Sequence, residues 1–104
     1  MTIKTLSILI PAYNEARTIH LILERIKAVQ LVNDIKKELI IVNDCSTDDT
    51  VQAVEKYQSE NPDLPIQLFN QEKNQGKGAA IHKAIELASG EYLVVQDADL
   101  EYDP

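Results

Sequence analysis

Leu39-Ile40-Ile41-Val42-Asn43-Asp44-Cys45-Ser46-Thr47-Asp48-Asp49-Thr50 passes from an apolar run to a polar cluster and then to a helix start. Four consecutive β-prone apolar residues read as a strand buried on both faces. Asn43 to Ser46 leave the sheet. Ser46 and Asp49 have the spacing of a capping box, which predicts a helix whose apolar side is Val51, Val54 and Tyr57. The unit is therefore strand, polar rim, helix.

The same unit recurs along the chain. Leu6-Ser7-Ile8-Leu9-Ile10 is a strand stopped by Pro11, and Asn14 is placed to cap the helix after it, with Glu15 in the first turn. Ile19, Ile22, Leu23 and Ile26 form one helical stripe, in a helix expected to end near Gln30. Asn61-Pro62 and Pro65 punctuate a loop before a third strand, Ile66-Gln67-Leu68-Phe69. Gly76-Lys77-Gly78 precedes a third helix with the stripe Ile81, Ala84, Ile85 and Ala88, stopped by Ser89-Gly90. A fourth strand runs from Glu91 into Gln96.

The order βαβαβαβ predicts an α/β fold, a Rossmann-like parallel sheet with helices on both faces and right-handed crossovers. Strand three alternates in polarity and belongs at an edge. Strands one and two belong in the centre. Strand four is apolar enough to be central, yet the sequence stops just after it. The expectation is one domain over residues 1–104 that forms the front part of a longer protein.

In such sheets ligands bind beyond the carboxyl ends of the strands. Three polar clusters fall there: Pro11-Ala12-Tyr13-Asn14-Glu15, Asn43-Asp44, and Asp97-Ala98-Asp99-Leu100-Glu101. Asp97, Asp99 and Glu101 are two apart, so in an extended chain they point the same way. Oxygen ligands of this kind suit a hard divalent cation such as Mg²⁺. The Asn74-Gln75-Gly76-Lys77-Gly78 loop can cradle a phosphate with backbone N–H groups and Lys77, although its spacing is not that of a P-loop. His20 and His82 lack partnering ligands and read as surface or packing residues. Cys45 reads as a loop residue, since no histidine shares its motif.

Ten basic residues against 17 acidic ones give a formal net charge of −7. That argues against a nucleic-acid surface and against direct docking on anionic lipid. An anionic ligand would need a metal or a donor cluster as intermediary. The single cysteine excludes an internal disulfide. No apolar run approaches the roughly 20 residues needed to span a bilayer, and a cytoplasmic location is expected.

Ser7 to Glu15 resembles the opening of family 2 glycosyltransferases of the GT-A fold. Ile41 to Thr50 resembles their second motif, Asn74 to Ala80 their third, and Asp97-Ala98-Asp99 their Asp-x-Asp motif. Asp97 to Pro104 is most similar to the dolichyl- and polyprenyl-phosphate sugar transferase branch. Asn43 stands where the family usually has Asp, and Cys45 and Asp49 stand at glycine-like or small positions.

The resemblance implies an inverting transfer of a sugar from a nucleotide-diphosphate sugar. Pro11, Tyr13 and Glu15 would contact base and ribose, with Ala12 beside them. Val42 and Asp44 would hold the base, with Asp44 accepting a hydrogen bond from its edge. Asp97, Ala98 and Asp99 would face ribose and diphosphate, and Lys77 would join the donor site. Mg²⁺ or Mn²⁺ would sit on Asp97, Asp99 and Glu101, with Asp97 and Asp99 the catalytic pair. The implied acceptor is a polyprenyl or dolichyl phosphate, at the cytoplasmic face of a membrane that the full-length protein would reach through later segments. The alternatives are a nucleotide-binding fragment without turnover, or a transferase acting on glycan or protein hydroxyls. A nucleotidyltransferase would need a Gly-rich, Arg-containing loop after strand one, which Pro11-Ala12-Tyr13-Asn14 does not supply. An unpaired, apolar strand four would also favour a homo-oligomer.

Overall fold

The computed structural model describes residues 4–29 and 35–97. Within them the order is β1 (Thr5–Ala12), α1 (Ile19–Ala28), β2 (Lys36–Asn43), α2 (Thr50–Glu60), β3 (Ile66–Asn70), α3 (Lys77–Leu87) and β4 (Tyr92–Val95). The four strands form one parallel sheet in the order β3-β2-β1-β4. The expected Rossmann-like α/β architecture is found, with β3 at an edge and β1 and β2 in the middle.

Alternation along β1 and β2 divides the core in two. Ile8, Ile10, Ala12, Leu39 and Ile41 face α1 and α2, meeting Ile19, Ile22, Leu23, Ile26, Val54 and Tyr57. Leu9, Ile40 and Val42 face α3, meeting Ala80 and Ala84. The small alanines let α3 lie close to the sheet. Of the expected stripe, Ala84 makes this contact and Ala88 packs beside it, while Ala80 takes the place expected of Ile81 and Ile85; Ile85 is exposed and Ile81 half-buried. The α1 stripe is buried as its spacing requires.

Several expected boundaries differ. β1 continues through Pro11 to Ala12. Proline is tolerated because Leu9 already receives the last bond from the β4 side, Gln96 N–H to Leu9 O at 2.8 Å. Pro11, two residues on, faces that same side beyond the end of β4, so its missing N–H breaks no ladder. α1 begins at Ile19, not after Asn14. A turn intervenes, in which Glu15 O accepts from Thr18 N and Ile19 N. At the other end, Lys37 Nζ donates to the carbonyls of Ile26, Lys27 and Val29 at 2.7, 3.1 and 2.5 Å, satisfying groups a helix end leaves open. Burial pushes the Lys37 ammonium pKa down.

β4 lies at an edge of the described sheet, beside β1. Tyr92, Leu93, Val94 and Val95 are 45–48% exposed, so both faces of this apolar strand are half open. α3 stops at Leu87 with Ala88 as cap. Gly90 serves close approach more than termination: a Cβ there would lie 2.5 Å from Ser7 Oγ and from Thr5 O.

Candidate functional site

The path β1-β2-β3 moves across the sheet one way, with α1 and α2 on one face. α3 then crosses the other face and delivers β4 to the far side of β1. Strand order therefore reverses between β1 and β4, the place where an open α/β sheet forms a crevice at its carboxyl rim. A crevice of about 660 Å³ lies there, lined by Pro11, Ala12, Tyr13, Glu15, Asp44, Asn74, Gly76, Lys77, Ala80 and Asp97. That volume suits a small organic ligand.

Nine of the residues singled out from sequence thus meet in one place: Pro11, Ala12, Tyr13, Glu15, Asp44, Asn74, Gly76, Lys77 and Asp97. Val42 does not line the crevice. Its side chain is fully buried in the core beneath α3, because its position in the strand alternation faces Ala80 and Ala84. Ala98, Asp99 and Glu101 lie outside the described residues. No group of three or more His, Cys, Asp or Glu that could hold a metal occurs among the described residues. Sequence reasoning missed Ala80. Its small size one turn into α3 was the available signal, since a larger side chain would fill the crevice floor.

The rim is built by cross-bracing between loops. Asn14 adopts φ 54°, a left-handed conformation that asparagine tolerates better than most residues. Its Oδ1 accepts from Thr47 N at 2.8 Å and from Thr47 Oγ1 at 3.3 Å, and its own N donates to Ser46 Oγ at 2.9 Å. Glu15 N donates to Thr50 Oγ1 at 2.8 Å and Ala16 N to Asp48 Oδ2 at 3.3 Å. The β1–α1 loop is thereby tied to the β2–α2 loop, which leaves Tyr13 exposed at the crevice and Glu15 half-buried beside it.

Two expected caps are consequently not made. Asn14 bridges loops and does not cap α1. Ser46 and Asp49 form no capping box: Ser46 Oγ bonds Asn43 Oδ1, and Asp49 makes no side-chain cap. Asp48 takes that role instead, accepting from Thr50 N at 2.9 Å and from the Thr50 hydroxyl. Burial pushes the Asp48 pKa up, but the Thr50 hydroxyl, Thr50 amide and Ala16 amide outweigh it and hold the carboxyl below its usual value.

Cys45 also adopts a left-handed conformation, φ 60°, and its Sγ lies 3.6 Å from Glu72 O. The backbone here accounts for the glycine-like position that the sequence motif assigns to Cys45.

Asp44 is buried, 4% exposed. Its Oδ1 accepts from Gln75 N and its Oδ2 from Gly76 N, both at 2.8 Å. Gly76, with φ 94°, is the N-cap of α3 and needs glycine for that angle. The next residue, Lys77, forms a close ion pair with Asp97 across the crevice. The site thus combines an exposed aromatic ring, buried and half-buried carboxylates, a helix amino end and an ammonium. That set can stack on a base, meet hydroxyl and imide groups, and hold a diphosphate.

The sequence profile of glycosyl transferase family 2 matches residues 7–104. The chain belongs to that family. It is 34% identical over 101 residues to a dolichyl-phosphate beta-glucosyltransferase of Dictyostelium discoideum, covering 90% of this chain and 30% of that protein. It is 32% identical over 99 residues to a dodecaprenyl-phosphate galacturonate synthase of Rhizobium johnstonii, covering 95% and 29%. Among solved structures, a mannosyltransferase of Pyrobaculum calidifontis in complex with GDP-Man and Mn²⁺ superposes with a TM-score of 0.86 at 33% identity, covering 95% of this chain and 28% of that one. The chain therefore spans about 30% of the length of these family members.

Proposed function

We propose that this chain is the donor-binding part of an inverting glycosyltransferase that takes a sugar from a nucleotide-diphosphate sugar. The observation that carries this reading is the crevice at the β1/β4 switch point, where Tyr13, Glu15, Asp44, Lys77 and Asp97 converge. Tyr13 offers an exposed ring to a base, Glu15 and Asp44 accept from hydroxyl or imide groups, and Lys77 with the amino end of α3 faces the diphosphate.

A divalent ion, Mg²⁺ or Mn²⁺, belongs to this reading. Asp97 lines the crevice with a cation, the Lys77 ammonium, already on its carboxylate. A carboxylate placed to hold a cation at the crevice suits a metal, and Asp97 would be one ligand, with Asp99 and Glu101 supplying the others. The bound ion would act as a Lewis acid toward the departing nucleoside diphosphate, and such an ion is present with GDP-Man in the Pyrobaculum enzyme.

The acceptor in this reading is a polyprenyl or dolichyl phosphate, as in the names of the Dictyostelium and Rhizobium relatives. A phosphate monoester is largely ionised near neutral pH, with a second pKa of about 6, so its oxygen can attack without a general base. The acceptor half would lie in the remainder of a longer protein, in keeping with a chain that spans about 30% of these relatives' length. No helix among the described residues is long and apolar enough to cross a membrane. The reaction would take place at the cytoplasmic face, with membrane contact supplied by the further segments.

Calorimetric titration with UDP and GDP, with and without Mn²⁺, tests the donor site. Metal-dependent binding that is lost in Asp99→Ala supports it, and metal dependence unchanged by that substitution removes Asp99 from the role. Transfer assays on this chain and on a longer form, with polyprenyl phosphate against hydroxyl acceptors, separate a fragment without turnover from an active enzyme. The anomeric configuration of the product decides inversion.

A further inference from the structure

We infer that Asp44 is a positioning residue, whose carboxylate clamps the turn before α3 and so sets Lys77 and the amino end of that helix against the crevice. This rests on the donor-site reading for its functional consequence, though not for its geometry.

Asp44 sits where β2 leaves the sheet. Its own N–H donates to Ala12 O at 2.9 Å, which fixes it to β1. Its two carboxylate oxygens then take the N–H groups of two consecutive residues, Gln75 and Gly76, some thirty positions away. The turn they belong to has little packing of its own. Asn74, Gln75 and Lys77 are exposed, and Gly76 has the left-handed φ of 94°. A buried carboxylate accepting two N–H groups is a strong, directional restraint on such a segment. Lys77 follows Gly76 directly, so the direction in which its side chain leaves the backbone depends on that restraint. A carboxylate has about four lone-pair sites. Two are used by the turn, which leaves others to meet a ligand in the crevice.

The carboxylate is required because both of its oxygens accept. An asparagine offers one acceptor and one NH₂ donor, so Asp44→Asn sets N–H against N–H at Gln75 or Gly76. A residue that only touched the nucleotide would not alter those two amides.

Amide-resolved hydrogen exchange on the full 104-residue chain, free of nucleotide, is the first measurement. In the wild type the Gln75 and Gly76 amides should exchange at least roughly tenfold slower than those of Lys73 and Asn74, the protection expected of a hydrogen bond to a charged group. In Asp44→Asn that protection should be lost while the β1 and β2 amides keep theirs. If the variant fails to fold, the β1 and β2 amides reveal it and the wild-type comparison alone decides; fast exchange at Gln75 and Gly76 there overturns the proposal. The second measurement is a double-mutant cycle on Mn²⁺-dependent UDP and GDP binding. Lys77→Met should cost clearly less in the Asp44→Asn background than in the wild type, because its side chain is already misplaced. Strict additivity with unchanged amide protection would leave Asp44 as a ligand contact only. Should neither nucleotide bind the wild type, the donor-site reading fails, and the exchange experiment still decides the clamp.

Discussion

Lys77, the first residue of α3, and Asp97, two residues past the end of β4, form an ion pair across the crevice. The pair joins the two elements on either side of the strand-order reversal. It also sets a cation on the carboxylate that the proposed metal would use. Lys77→Met should therefore move two affinities in opposite directions. UDP and GDP binding without metal should weaken by roughly tenfold, the scale of a lost charge-assisted hydrogen bond. Mn²⁺ alone should bind more tightly, since no ammonium competes for Asp97. Calorimetry of each ligand checks this, and two unchanged affinities would take Lys77 out of the site.

Asn14 supplies both a left-handed backbone and a bridge to Thr47. Asn14→Gly keeps the backbone conformation and loses the bridge, and should cost about 1 kcal/mol. Asn14→Ala also loses the bridge, and keeps a Cβ in the left-handed region without the amide whose hydrogen bonds offset it, which adds about 1 kcal/mol relative to glycine. Thermal unfolding should rank wild type above Gly above Ala, in steps of about 4–8 °C per kcal/mol. An alanine variant as stable as the glycine variant would mean that the backbone angle carries no cost.

Far from the crevice, Glu38 accepts from Ser7 Oγ at 2.5 Å and from Ser89 N at 2.7 Å and Ser89 Oγ at 2.9 Å. Burial pushes its carboxyl pKa up, but these bonds, with the Gly90 amide, outweigh burial and hold it below the usual 4.5. A carboxyl depressed by folding contributes stability that is fully present above the unfolded value and lost as pH falls through the lower folded value. Glu38→Gln should be less stable than wild type at pH 7, by about 1–2 kcal/mol. The difference should narrow from about pH 4.5 downward. Denaturant melts at pH 7 and pH 3 test it; a pH-independent difference would show that ionisation of Glu38 does not matter.

Glycines 78 and 90 should respond oppositely to alanine. Gly90 has Ser7 Oγ and Thr5 O at 2.5 Å from any added Cβ, and the backbone oxygen cannot yield cheaply. Gly90→Ala should destabilise by about 1–3 kcal/mol, in the range of overpacking. Gly78 lies in α3 with nothing within 4 Å of an added Cβ. Gly78→Ala should stabilise by about 0.5–1 kcal/mol through helix propensity. Paired thermal melts give both signs at once.

Much of the fold was legible because it depends on local period. The stripe Ile19, Ile22, Leu23 and Ile26 is buried as spaced, and the mixed polarity of Ile66 to Asn70 matches an edge strand. In α3 the expected Ala84 and Ala88 pack on the sheet, whereas Ile81 and Ile85 do not join that core, because close packing selects the smaller Ala80. The caps expected at Asn14 and Ser46 are absent for another reason. Short polar side chains bond whatever lies nearest, and the neighbours of Asn14 are Ser46 and Thr47, more than thirty residues away.

The sequence by itself determined the alternation of strand and helix, and therefore a parallel sheet whose polar clusters leave at one rim. Every strand in such a sheet ends on the same side, so Pro11 to Glu15, Asp44 and Asp97 had to emerge together. Only the tertiary structure decided that β4 lies beside β1, that Val42 turns into the core, and that Asp44 holds the turn before α3. Those outcomes depend on contacts between distant segments, where geometry and competition among hydrogen-bond partners choose and local periodicity carries no information.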